Sequence, residues 1–302
     1  MIILKFICVR RYTHSRVNLG YKNKTERNEI LKFSGWTTVI SLSQRMIFNL
    51  APTILGIMSG AASIAILGVA TTIEGYTYMF SSALNGMFLP RVSRIMADSK
   101  GDILPLMIRI GRIQLMIISA IVIGFICIGH DFILLWVGNE YEMSYYCAIL
   151  LILPSVIHFP QEIASTAIVA ANKVKHQAMV FVIMACCNIA LAFWLSKYWG
   201  AEGISVSICI AYFVRTAGMN YIYNKDLNID IREFFKSTYS TMLRPLFMIA
   251  AAGFILSKCL ADVSWIILIL KVLIIGIVTA ASYWFLAMNR DEKSLIKSMI
   301  KR

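Results

Sequence analysis

The sequence predicts an all-α integral membrane protein of about eight transmembrane helices, and three observations predict it. Apolar runs of about 20 residues recur along the chain, each long enough at 1.5 Å per residue to cross a hydrocarbon core of about 30 Å. The 302 residues are 59% hydrophobic and only 15% charged, with a mean hydropathy of +0.72. A soluble domain of this size needs more polar surface than that. Finally, every second connection between the runs is basic.

The runs lie at about 34–58, 61–88, 105–128, 144–170, 176–196, 201–222, 241–258 and 263–287. Helix is the expected conformation in each, because a lipid-embedded segment must satisfy its own backbone amides. Residues 1–8 (MIILKFIC) are too short to span and lead into a basic stretch with no small-residue cleavage site. They do not read as a removable signal peptide.

The connections fix an orientation. Residues 9–32 carry Arg10, Arg11, Arg16, Lys22, Lys24, Arg27 and Lys32. Arg91, Arg94 and Lys100 follow in 89–104, then Lys173 and Lys175 in 171–175, and Lys225, Arg232 and Lys236 in 223–240. The tail adds Arg290, Lys293, Lys297, Lys301 and Arg302. The alternate connections, 59–60, 129–143, 197–200 and 259–262, hold only Lys197, with Lys258 at an edge, and 129–143 carries three acids. By the positive-inside rule the spans are even in number and both termini are cytoplasmic. The net charge of +13 is then mainly loop charge facing anionic headgroups, and nucleic acid is not an expected partner.

Two polar stretches, 229–239 and 291–302, place apolar residues three to four apart among bases. They suit helices on the inner-leaflet surface, or equally well plain extensions of the spans. Of the seven cysteines, Cys127, Cys147, Cys186, Cys187, Cys209 and Cys259 lie in or beside apolar runs, without CxxC or Cys/His spacing. They read as small buried apolar residues, not as disulfides or metal ligands.

Polar groups at membrane depth are costly and face a cavity or a partner, so they are the candidate functional residues. Arg45 and Glu74 each lie about 14 residues, or roughly 21 Å, from the turn at Gly60, which allows an ion pair across the hairpin. Gln44, Asn49, Tyr76, Tyr78 and Asn85 share its two helices. The face they make either lines a cavity or packs on neighbouring helices. The fourth run holds Pro154, His158, Pro160, Gln161 and Glu162. Two prolines bend or break a helix, and broken helices near mid-membrane are where many transporters place their sites. His158 and Glu162 either carry a proton there or satisfy each other. Arg215 lies within snorkelling reach of the cytoplasmic end of its span, whereas Lys271 is nearer mid-depth. Arg109 and Arg112 are expected to snorkel at the cytoplasmic mouth. The small residues of GIMSGAAS (56–63) allow close helix approach. No P-loop, HExxH or GxSxG is present, and the longest exterior connection is about 15 residues, too short for a catalytic domain.

The stretch LKFSGWTTVISLSQRMIFNLAPTILGIMSGAASIAILGVATTIEGYTYMFSSALNGMFLPRVSRIMAD (31–98) resembles the first two helices of the C-terminal lobe of bacterial polysaccharide flippases. These are the Wzx-type O-antigen and capsule exporters of the multidrug/oligosaccharidyl-lipid/polysaccharide exporter superfamily. FILLWVGNEYEMSYYCAILLILPSV (132–156), ANKVKHQAM (171–179) and KYWGAEGISVSICIAY (197–212) resemble that family's acidic exterior loop, tight basic turn and Gly-bearing exterior turn.

The resemblance covers the second lobe and the terminal helix pair alone. It implies a helix stub and basic cytoplasmic linker at 1–32, a six-helix lobe at 33–222 and a connector at 223–240. Two terminal helices at 241–288 and a basic tail at 289–302 complete the chain. It further implies a multi-pass protein of the bacterial inner membrane. Such a protein flips undecaprenyl-pyrophosphate-linked oligosaccharide for O-antigen, capsule or exopolysaccharide synthesis, without cofactor or covalent chemistry. Membrane lipids surround it, and another chain or a longer protein would supply the first lobe. Arg45, Arg215 and Lys271 would meet the pyrophosphate in a cavity also lined by Gln44, Asn49, His158 and Gln161. Glu74 or Glu162 would balance that charge or couple movement to a proton or sodium gradient. The rival readings are a drug/cation antiporter half and an inactive fragment. A third is a membrane acyl- or glycosyltransferase using His130–Asp131 or His158–Glu162 as acid and base.

Overall fold

The computed structural model describes residues 23–97, 103–260, 262–289 and 293, and these contain helices, short 3₁₀ turns and connections, with no strand among them. Helix α1 (Lys24–Met58) starts on Asn23, whose side chain accepts hydrogen bonds from the amides of Thr25 and Glu26. It turns at Ser59–Gly60 into α2 (Ala61–Ala97). Gly60 has φ +83°, a region open chiefly to glycine. Helix α3 (Leu104–Trp136) begins with Pro105 in its first turn, where a missing amide hydrogen costs nothing.

A 3₁₀ turn at Asn139–Tyr141 leads into a run broken at its prolines. The run comprises α4 (Met143–Ile152), α5 (Ser155–His158), a 3₁₀ turn (Phe159–Gln161) and α6 (Glu162–Ala170). Helix α7 (Val174–Leu227) is 54 residues long but reverses at Gly200 (φ 52°, ψ −124°), which makes two limbs, 174–199 and 201–227. Helices α8 (Ile231–Tyr239), α9 (Leu243–Cys259) and α10 (Trp265–Ser282) follow, the last ending in a π-turn at Tyr283–Ala287.

Each of the eight runs read as a span falls on helix, apart from turn residues at a few ends and the proline breaks. By length and composition four segments can cross a membrane: α3, the run Met143–Ala170, α7, and α10 with its π-turn. Helices α8 and α9, bent by 47° at their junction, add a fifth if they form one span. The single count for α7 includes both limbs. Helices α1 and α2 are long enough but stand outside this set, because Gln44, Arg45, Asn49 and Glu74 interrupt their apolar sequence.

The surface is one that water would not tolerate. Phe247, Ile266, Phe285, Ile277 and Met79 are all more than two-thirds exposed, as expected for side chains that face acyl chains. Trp136, Trp199 and Trp265 are exposed near the Lys/Arg-poor helix ends, an interfacial belt. At that end the Ser59 hydroxyl donates to the Ser196 carbonyl and joins the α1–α2 turn to the α7 turn. At the other end His176 and Lys173 both bond Asp226, which ties the two limbs of α7 together. The most buried span is Met143–Ala170, with 61% of its core window inside the protein. It is packed between α2, α3 and α7.

The stretch 229–239 forms a separate helix instead of a continuation of α9. Asp230 caps it, Phe234 and Thr238 are fully buried beneath it, and Arg232 and Lys236 face outward. Two of the six described cysteines, Cys186 and Cys259, are exposed on the apolar surface and not buried as expected; all six are free thiols. The expected stub and most of the basic linker at 1–22, the loop at 98–102 and, except for Lys293, the amphipathic tail at 291–302 lie outside the described residues.

Candidate functional site

The site begins where the fourth run breaks. Proline cannot donate to the carbonyl four residues before it, so two prolines six residues apart replace one straight helix by α4, α5, a 3₁₀ turn and α6. The freed groups find new partners. The Pro154 carbonyl accepts from the amides of Ile157 and His158 at 3.1 Å and from the His158 ring Nδ1 at 3.0 Å. A carbonyl can only accept, so Nδ1 carries the hydrogen and Nε2 is left with the lone pair. His158 stacks on Tyr212 of α7 at 5.2 Å between ring centroids.

After the 3₁₀ turn, Glu162 starts α6 and its carboxylate lies 3.6 Å from Arg215 Nη2. Arg215 is 6% exposed and its guanidinium lies over the Phe181 ring at 4.7 Å, with the Tyr212 ring at 5.8 Å. These faces shelter a cation from hydrocarbon. The Arg215 Nε hydrogen has no hydrogen-bond partner, nor does the amide nitrogen of Gln161, itself 2% exposed. Tyr78 of α2 lies within electrostatic range of Arg215 and Glu162, and Glu74 of α2 within that of Tyr78 and Tyr212. Tyr78 also packs on Phe159 at 5.9 Å. Glu74 and Arg215 lie 13 and 14 residues from the starts of α2 and the second α7 limb, about 20 Å from one helix end. Both are therefore at membrane depth.

The other predicted residues go elsewhere. Arg45, Gln44 and Asn49 are exposed on α1, and no ion pair joins Arg45 to Glu74 among the described residues. The reason is rotation about the helix. Ile47, Ala51 and Ile54 bury one face, and at 100° per residue Arg45 and Asn49 fall together on the opposite one. Their face and the exposed Thr72, Gly75 and Tyr76 of α2 form polar surface that nothing among the described residues covers.

Lys271 belongs to a second centre. It is 1% exposed and bonds Asp131 at 2.6 Å, about 9 Å below the start of α10. Beside it, His130 Nε2 lies 2.9 Å from Glu142. Sequence reasoning misread Arg112, which does not snorkel. It is 5% exposed and donates to Thr241 Oγ1 and the Ala287 carbonyl, both at 2.7 Å, so that α3 holds the α8–α9 turn and the end of α10. Its placement about two helical turns inside a span start, within reach for a snorkelling arginine, gave no signal.

No cluster of His, Cys, Asp and Glu among the described residues could hold a metal ion. An arginine, two carboxylates, a histidine with a free lone pair and two phenols can bind an anion, balance it and exchange a proton. Residues 2–146 match the sequence model of a family described as "Polysaccharide biosynthesis protein". The match makes that stretch, just under half of the chain, similar to this family. A search of curated proteins finds no match. The family-matched stretch contains α1, α2, α3 and the start of α4, and so Arg45, Glu74 and Tyr78. The broken turn and Arg215 lie beyond it.

Proposed function

We propose that this chain acts in polysaccharide biosynthesis, as its similarity over residues 2–146 supports, and forms one lobe of a flippase. The flippase moves oligosaccharide linked to undecaprenyl pyrophosphate across the bacterial inner membrane, with both termini of the chain in the cytoplasm. The observation that carries the reading is Arg215, a nearly buried cation at membrane depth. It lies against a proline-broken span, with a single carboxylate at 3.6 Å and its Nε hydrogen unpaired. A pyrophosphate offers the oxygens that such a guanidinium lacks, and it requires a partly dehydrated cation to leave the water phase. Glu162 and Glu74 then return the charge balance once the substrate leaves, and either can take a proton or sodium ion in doing so.

The uncovered polar face of α1, with Arg45 and Asn49, supports a second body on that side, a first lobe that closes the cavity. Alternating access would arise between the two. The transferase reading has less support, because His130 and Asp131 are already engaged with Glu142 and Lys271.

The test is complementation of a strain that lacks its polysaccharide flippase, with the chain expressed alone and together with a matching first lobe. Restored surface polysaccharide in the paired strain is expected. It should fall at least tenfold with Arg215→Ala and recover in part with Arg215→Lys. Full activity of Arg215→Ala at normal protein level overturns the anion-binding role.

A further inference from the structure

The broken span and helix α8 meet at a hydrogen bond from Tyr239. Pro160 has no amide hydrogen, so the Val156 carbonyl, four residues earlier, loses the donor a regular helix would give it. The Tyr239 hydroxyl, 83 residues away in sequence, donates to that oxygen at 2.9 Å, and the Ile157 oxygen lies at 3.4 Å. The approach is prepared by Gly111 of α3. A Cβ there would lie 2.8 Å from the Pro160 carbonyl oxygen and 3.0 Å from the Phe234 ring. Only a residue without a side chain lets α3, the proline turn and α8 come together. Phe234 is fully buried in that junction, and the Tyr239 ring packs on Phe235 at 5.1 Å. The capped carbonyl lies two residues before His158 and six before Glu162, in the turn that aims both at α7.

We propose that Tyr239 is a positioning residue for the Arg215 site: its hydroxyl replaces the donor that Pro160 removes, fixes the bend, and so holds Glu162 against Arg215. Helix α8 thereby sets the geometry of the Arg215 site. The functional consequence rests on the flippase reading; the hydrogen bond does not.

Two measurements test it, both on the full chain. The first is amide hydrogen exchange over residues 155–166 in lipid nanodiscs. Tyr239→Phe keeps the ring and removes the donor, and it should speed exchange there about fivefold, the size of one net hydrogen bond. Pro160→Ala returns an amide hydrogen to Val156, so adding Tyr239→Phe to that variant should change nothing. An equal effect in both backgrounds, or none in either, overturns the proposal. The second measurement is complementation with the paired lobe, where Tyr239→Phe should lower polysaccharide export at normal protein level. Faster exchange with full export overturns the positioning role. Failure of the wild-type pair to complement counts against the flippase reading alone, and the exchange comparison still decides the hydrogen bond.

Discussion

Two buried cations in this protein have opposite fates. Lys271 is paired at 2.6 Å with Asp131 and has no exposed surface to speak of, whereas Arg215 shares one carboxylate at 3.6 Å and keeps a donor free. The first is a closed structural pair. Lys271→Met strands the Asp131 carboxylate and should cost about 3 kcal/mol, whereas Lys271→Met with Asp131→Leu should recover most of that loss. Thermal unfolding in detergent of the two single variants and the double variant checks this. A double variant no more stable than the singles would mean that Lys271 is held by something other than the pair. The residue types at both centres were legible in the sequence, because a charge inside an apolar run stands out. Their partners were not. Depth follows from counting residues, but the direction of a side chain depends on helix rotation and on how the whole bundle packs. Arg45 and Glu74 share a depth and do not pair. Arg215 and Glu162, on runs not compared with each other, do.

Among the elements, α7 shows how little sequence a chain reversal needs. One glycine turns 54 residues of continuous helix into two antiparallel limbs, and the run of apolar residues on either side conceals it. Gly203 lets the limbs close: a Cβ there would lie 2.4 Å from the Leu195 carbonyl oxygen. Backbone cannot retreat as a flexible side chain can, so Gly203→Ala should destabilise by about 1–3 kcal/mol. Gly200→Ala should cost about 1–2 kcal/mol for its left-handed φ. Gly35→Ala is the control, since nothing lies within 4 Å of its added Cβ, and it should stabilise α1 by about 0.5–1 kcal/mol. Unfolding midpoints of the three variants in one detergent give the comparison. If Gly203→Ala behaves like Gly35→Ala, the limbs do not close as described. Helix positions were readable from apolar run length alone. The 47° bend between α8 and α9 was not, because the amphipathic pattern of 229–239 suits both a surface helix and the first turns of α9.

At the scale of the whole molecule, charge and hydrogen bonding agree on two ends. Lys173, His176 and Asp226 gather at the basic end, and the acidic 3₁₀ turn at Asn139–Tyr141 belongs to the other. With the native cysteines replaced, Asn139→Cys should react with a membrane-impermeant thiol reagent in intact spheroplasts. Lys225→Cys should react only after permeabilisation. The reverse pattern would invert the proposed orientation.

The bare polar stripe of α1 has a consequence for the life of the protein in a cell. Where α1 crosses the bilayer, lipid against Arg45 and Asn49 must thin or admit water, a deformation that costs on the order of 2.5–3.5 kcal/mol for an arginine at the centre of a span. A covering lobe of the kind proposed above would remove that cost. The chain made alone should therefore be cleared quickly by membrane proteases and spared when the other lobe is co-expressed. Arg45→Leu with Asn49→Leu should lengthen the half-life of the solitary chain without any partner. A pulse-chase of these strains reads the effect directly, and equal half-lives throughout would mean that lipid accepts the stripe as it is.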